Sequence, residues 1–174
     1  FPAAPGREPL RPLQDGVTVR AADSEVHGLL TVLGDDARLV VGRLRFADRW
    51  DEGRREVDVR WRPAAEPLAL GPGDWAGATA NADSAGGLLA VAWETGGRLV
   101  AARWDGDDEA WLTEPAPPGL AGVAAVAVAE ELGAVAVVDR DRRLRVFRRP
   151  GWQELEVEGV DQPVAAVRWL IGGG

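Results

Sequence analysis

The densest group of catalytic residue types is Asp23-Ser24-Glu25-Val26-His27. Nucleophilic catalysis needs a hydroxyl, an imidazole and a carboxylate converging at hydrogen-bond distance, with the base oriented by the third group. Five consecutive residues on a strand or turn cannot converge, so His27 reads as a turn or surface residue. Asp105-Gly106-Asp107-Asp108-Glu109 gathers the oxygen ligands that hard cations want. Its spacing is not that of an EF-hand loop, and a solvated turn is expected. Asp139-Arg140-Asp141-Arg142 alternates in sign and reads as a self-neutralised hairpin tip. Gly71-Pro72-Gly73 lacks the Lys and the following helix of a phosphate loop. No nucleophile, base or metal set emerges, so no cofactor is expected and the chain reads as non-enzymatic.

The elements that must position these groups are strands. At 174 residues and 46% apolar content the chain can bury a core as one domain, and no apolar run reaches the roughly 18 residues of a membrane span. No leader of basic and apolar residues opens it; starting at Phe1 rather than Met, it reads as an excerpt or a processed product. The net charge of −8 argues against nucleic acid and anionic lipid as partners. All 20 basic residues are Arg, with one Ile and one Asn, a pattern of GC-rich coding. With 0 Cys there is no disulfide scaffold or thiolate metal site, and a cytoplasmic location is expected.

Residues 1–16 hold four prolines and no periodicity, and read as a linker or strap. Beyond them a frame recurs: a Gly, an apolar run, a polar turn, then an Arg-Leu pair opening the next strand. The pairs Arg38-Leu39, Arg98-Leu99 and Arg143-Leu144 lie 10, 11 and 10 residues after Gly28, Gly87 and Gly133. Val123–Val128 and Gly133–Val138 are continuous apolar runs, as strands covered on both faces require. Arg143–Arg148 and Glu154–Glu158 alternate, as half-exposed strands do. Strands are also expected at Val17–Ala21, Gly28–Leu33, Arg38–Leu44, Arg54–Trp61, Gly77–Ala82, Gly87–Trp93, Arg98–Trp104 and Ala110–Thr113. Val164–Leu170 matches Val123–Val128 as the opening of a further copy. The Gly-to-Gly periods of 59 and 46 residues, with four strands each, point to propeller blades. The expected fold is all-β: a β-propeller segment of three four-stranded blades, about 17–61, 76–114 and 120–159, plus the first strand of a fourth at 163–171.

Over about residues 17–171 the chain resembles the blades of WD-repeat β-propellers. Trp104-Asp105 falls where that family carries its dipeptide, whereas the third copy has Phe147-Arg148 and His27-Gly28 reverses the family's Gly-His order. A second likeness is to fucose-binding propeller lectins, through Arg103-Trp104-Asp105-Gly106 before Trp111. It implies a carbohydrate site, although the inner-strand positions matching the lectin's sugar ligands are apolar here, as in Leu89-Ala90-Val91.

The resemblance implies a non-catalytic module for protein binding or scaffolding, whose partner is another protein or another domain of the parent chain, and self-association is a route to closing the ring. The expected surface comprises the turns Gly34–Ala37, Glu94–Gly97 and Asp139–Arg142 with the loops Gly71–Trp75 and Gly159–Pro163. Its candidate contact residues are Asp35, Asp36, Trp75, Arg140, Asp141 and Arg142. Trp50, Trp111 and Trp152 recur in frame and are expected to pack blade against blade.

Overall fold

The computed structural model describes residues 16–24, 28–51, 53–117 and 119–169; all of the expected strap 1–16 but Gly16, Glu25 to His27 and the last residues of the chain lie outside them. The described residues form three consecutive antiparallel meanders. The first sheet runs β1 (Val19–Ser24), β2 (Leu29–Gly34), β3 (Arg38–Asp51), β4 (Arg54–Pro63), with two-residue β5 (Leu68–Ala69) pairing β3. The second runs β6 (Trp75–Ala82), β7 (Leu88–Glu94), β8 (Leu99–Asp105), β9 (Ala110–Glu114). The third runs β10 (Val123–Ala129), β11 (Ala134–Asp139), β12 (Leu144–Arg148), β13 (Gln153–Leu155), with a short 3-10 turn, Glu130–Leu132, between its first two strands. No helix among the described residues is long and apolar enough to cross a membrane.

The expected frame appears as repeated backbone detail. The turn between second and third strands closes identically in all three sheets: the N–H groups of Ala37, Gly97 and Arg142 donate to the carbonyls of Gly34, Glu94 and Asp139 at 3.2, 3.0 and 3.0 Å. Those donors are left-handed, with φ of 57°, 101° and 61°. Only Gly97 takes that conformation without steric cost, and a Cβ there would also lie 2.7 Å from the Gly122 nitrogen. Each first strand also carries a bulge near its start, between Val19 and Ala21, Trp75 and Gly77, and Val123 and Ala125. Such bulges bend a strand and increase its twist.

Two cores lie between the sheets. Leu29, Leu33, Leu39 and Val41 of the first sheet meet Ala78, Ala80, Ala90 and Ala92 of the second. Leu89, Val91 and Leu99 then meet Val126, Val128, Val135 and Val137 of the third. The second sheet is thus covered on both faces, which explains why Leu88–Ala92 is an unbroken apolar run. Small residues facing large ones let the backbones approach closely; each large aliphatic side chain buried contributes about 1.5–3 kcal/mol.

Some boundaries differ from expectation. β1 starts two residues later and ends three residues later than expected, and β6 starts two residues earlier, at Trp75, with the expected end at Ala82. β3 extends to Asp51 instead of ending near Leu44, so β3 and β4 form an arm longer than any other hairpin among the described residues. β13 stops at Leu155, short of Glu158. Residues 164–169 are not a strand, correcting the expected opening of a fourth copy. A strand exists only as part of a ladder, and no described strand pairs with these residues. They are nonetheless fastened: Val164 N–H donates to the Arg142 carbonyl at 2.8 Å and the Trp169 indole donates to the Ala127 carbonyl at 3.1 Å.

Candidate interaction surface

The turns singled out from sequence meet the connections between sheets at one end of the molecule. Leu70 N–H donates to the Ala37 carbonyl at 2.9 Å, beside the first turn. Arg98 reaches across with Nη2 to the Pro72 carbonyl at 2.7 Å and to Glu94 Oε1 at 2.5 Å, joining the next connection to the second turn. Arg140 Nη2 donates to the Thr95 carbonyl at 2.9 Å, joining the second turn to the third, and Val164 fastens the last connection to Arg142. The turn carbonyls that would otherwise be left for water are thereby used to hold the ends together.

Asp35 and Asp36 are exposed on the first turn. Asp35 Oδ1 accepts from Thr18 N–H at 3.1 Å and Asp36 Oδ1 from Arg38 N–H at 3.2 Å, so backbone donors orient both carboxylates. Arg140, Asp141 and Arg142 are exposed on the third turn. Five of the six candidate residues therefore stand on this surface. Trp75 does not, and the expectation is corrected: it is 2% exposed, its indole donates to the Gly71 carbonyl at 3.0 Å, and the Arg98 guanidinium stacks 4.5 Å from its ring. A residue so placed organises the loop from within and offers no area to a partner. Asp139 is also buried, and its Oδ1 accepts from Arg143 N–H at 2.9 Å, closing the third turn.

The other sequence candidates are absorbed by structure. Asp23 Oδ2 accepts from Thr79 Oγ1 at 2.6 Å and its Oδ1 from Ser24 N–H at 2.9 Å, tying the first inner strand to the second. Asp105 Oδ1 accepts from Asp107 and Asp108 N–H at 3.0 and 3.4 Å, the geometry of a side-chain-closed turn. Trp104 and Trp111 pack edge to face at 5.4 Å and 71°. No group of three potential metal ligands occurs among the described residues.

Two features were missed in the sequence. One is a cavity of about 700 Å³ lined by strands β1, β6 and β10 and residues 167–169, with alanine the commonest residue and Asp23, Thr79 and Trp169 among the others. Its signal in the sequence is the alanine content of the three opening strands. The other is an ion-pair ladder between the second and third sheets. Arg149 forks onto Glu114 through Nε and Nη2 at 2.9 and 2.6 Å, and its Nη1 lies 3.7 Å from Glu130 Oε2. Burial pushes the Glu130 carboxyl above its ordinary range, against the downward pull of Arg149, and Oε2 has no hydrogen-bond donor. No periodicity marks such a contact, since its three members are far apart along the chain. No protein-family model matches this chain, and no curated protein matches it at a significant level.

Proposed function

We propose that the three meanders are consecutive blades of a WD-like β-propeller and that the chain is a non-catalytic, protein-binding module of the cytoplasm. The repeated bulges, the repeated left-handed turns and the inner strands gathered about one cavity support the blade reading. The observation that carries the function is the stiff turn end, where Asp35, Asp36, Arg140, Asp141 and Arg142 project from turns held by their neighbours. Charged groups on pre-organised backbone lose little entropy on docking and select partners by complementary charge. A protein, or another domain of the same parent chain, is the partner; a net charge of −8 disfavours nucleic acid and anionic membranes.

The test is quantitative affinity capture from a native lysate, comparing the wild type with the triple variant Asp35→Arg, Asp36→Arg, Asp141→Arg. Asp35 and Asp36 each give up one exposed hydrogen bond to the turn backbone, so thermal unfolding should fall only modestly and the fold persist, whereas specific partners should be lost. Retention of the same partners by the triple variant, or no specific partner with the wild type, overturns the proposal.

A further inference from the structure

Each of β1, β6 and β10 is the edge strand of its own sheet, and all three line the same cavity of about 700 Å³. That volume lies within the roughly 300–1,000 Å³ of small-molecule sites. Alanine is the commonest residue in the lining, so the walls are apolar and their side chains reach only a short way into the space. Asp23 is the single carboxylate among the lining residues. Both of its donors are neutral: Thr79 Oγ1 donates to Oδ2 at 2.6 Å and Ser24 N–H to Oδ1 at 2.9 Å. Thr79 is itself 6% exposed, so a buried hydroxyl fixes one carboxylate oxygen in place.

A carboxylate can accept about four hydrogen bonds, and no described arginine lies at ion-pairing distance from Asp23. A charge beside apolar walls is costly while it lacks a counter-charge, and a cation that brings its own apolar body removes that cost. Two indoles share the lining, and aromatic rings also attract cations. A Cβ at Gly77 would overlap the Trp93 ring, so glycine there is what lets this indole sit beside the cavity. The Trp169 ring is held by its bond to the Ala127 carbonyl at 3.1 Å. Arg168 is the single cation in the lining, and it is exposed. A bare metal ion is poorly served here, since hard cations want six or more oxygen ligands and no group of three potential metal ligands occurs among the described residues.

We propose that this cavity binds a small organic cation, with an ammonium group seated on Asp23 and an apolar or aromatic body lying along the alanine-rich strands. Binding here does not depend on what the turn end holds, so its failure would leave the protein-binding reading untouched.

Isothermal titration calorimetry with phenylpropylamine tests it, at about 0.15 M salt so that general attraction to the net charge of −8 is screened. The wild type binds the amine at least about tenfold more tightly than the uncharged phenylpropanol, and phenylpropanoate more weakly still. Asp23→Asn lowers the affinity for the amine about tenfold, to that of the alcohol. Asp108→Asn, at an exposed carboxylate outside the lining, leaves it unchanged. Ala22→Phe and Ala124→Phe each place a ring in the cavity from an exposed position, and each abolishes binding of amine and alcohol alike while thermal unfolding stays cooperative. No binding of the amine at millimolar concentration, equal affinity for amine and alcohol, an equal loss in Asp108→Asn, or binding that survives either filling variant overturns the proposal.

Discussion

The outer edges of the second and third sheets are each fastened by a tryptophan to what precedes them, whereas the in-frame tryptophan of the first sheet is exposed. In the second sheet the Trp111 indole donates to the Glu66 carbonyl at 2.6 Å; in the third, the Trp152 indole donates to the Pro115 carbonyl. Both carbonyls lie on the connection entering the sheet that carries the indole, so each tryptophan staples its sheet to that sheet's own entrance. Trp152 also packs edge to face on Phe147 at 6.3 Å and is 6% exposed. Trp50, in frame with them along the chain, is 71% exposed on the overshooting arm. Packing of blade against blade was expected of all three; Trp111 and Trp152 are instead seen fastened to the entrances of their own sheets, and Trp50 is exposed. The lesson is that an in-frame tryptophan packs only where the backbone also delivers a carbonyl for its N–H and a layer for its ring.

The sharpest way to break this contrast is to delete one staple. Trp152→Ala should cost about 3–5 kcal/mol, the range for emptying a buried large aromatic site, read as a fall in the urea midpoint with little change in slope. A loss below about 1 kcal/mol would show that the fastening is incidental.

A smaller effect is expected at the ion-pair ladder behind the same edge. Because burial raises the Glu130 carboxyl's folded pKa, its contribution to stability is full in acid and is lost as pH rises through that folded value. Glu130→Gln removes the charge but keeps the shape, and Arg149 retains its fork onto Glu114. The variant should therefore be more stable than the wild type near neutral pH, by on the order of 1 kcal/mol, and the advantage should vanish in acid. Thermal unfolding across pH measures the difference; a deficit at neutral pH would show that Arg149 depends on Glu130 for more than charge balance.

The smallest effect sharpens the comparison from the free side. Trp50→Ala should change unfolding free energy by less than about 0.5 kcal/mol, since the side chain has little area to lose. A cost comparable to that at Trp152 would mean that the arm is covered in solution, and the exposed-arm description would fail.

Much of the fold was legible because its signals are local. Alternation in Arg143–Arg148 and the continuous run Ala134–Val138 located strands within a residue or two, since period and composition are properties of a few neighbours. The Arg-Leu pairs marked strand starts because each follows a left-handed turn residue, at Ala37, Gly97 and Arg142. Less of the site was legible. The turns were found, but Trp75 was assigned to the surface because a Gly/Pro-rich loop says nothing about which of its residues folds inward. The arm was underestimated because alternation alone cannot say where a ladder stops.

The chain by itself determined strand character, turn positions and the threefold recurrence of one meander, because these follow from backbone preference and the period of its side chains. Only the tertiary structure decided which tryptophans are staples, that Arg149 bridges Glu114 and Glu130, and that three alanine-rich strands line a common cavity. Each of those depends on groups brought together from dozens of residues apart, where local sequence carries no information about distance.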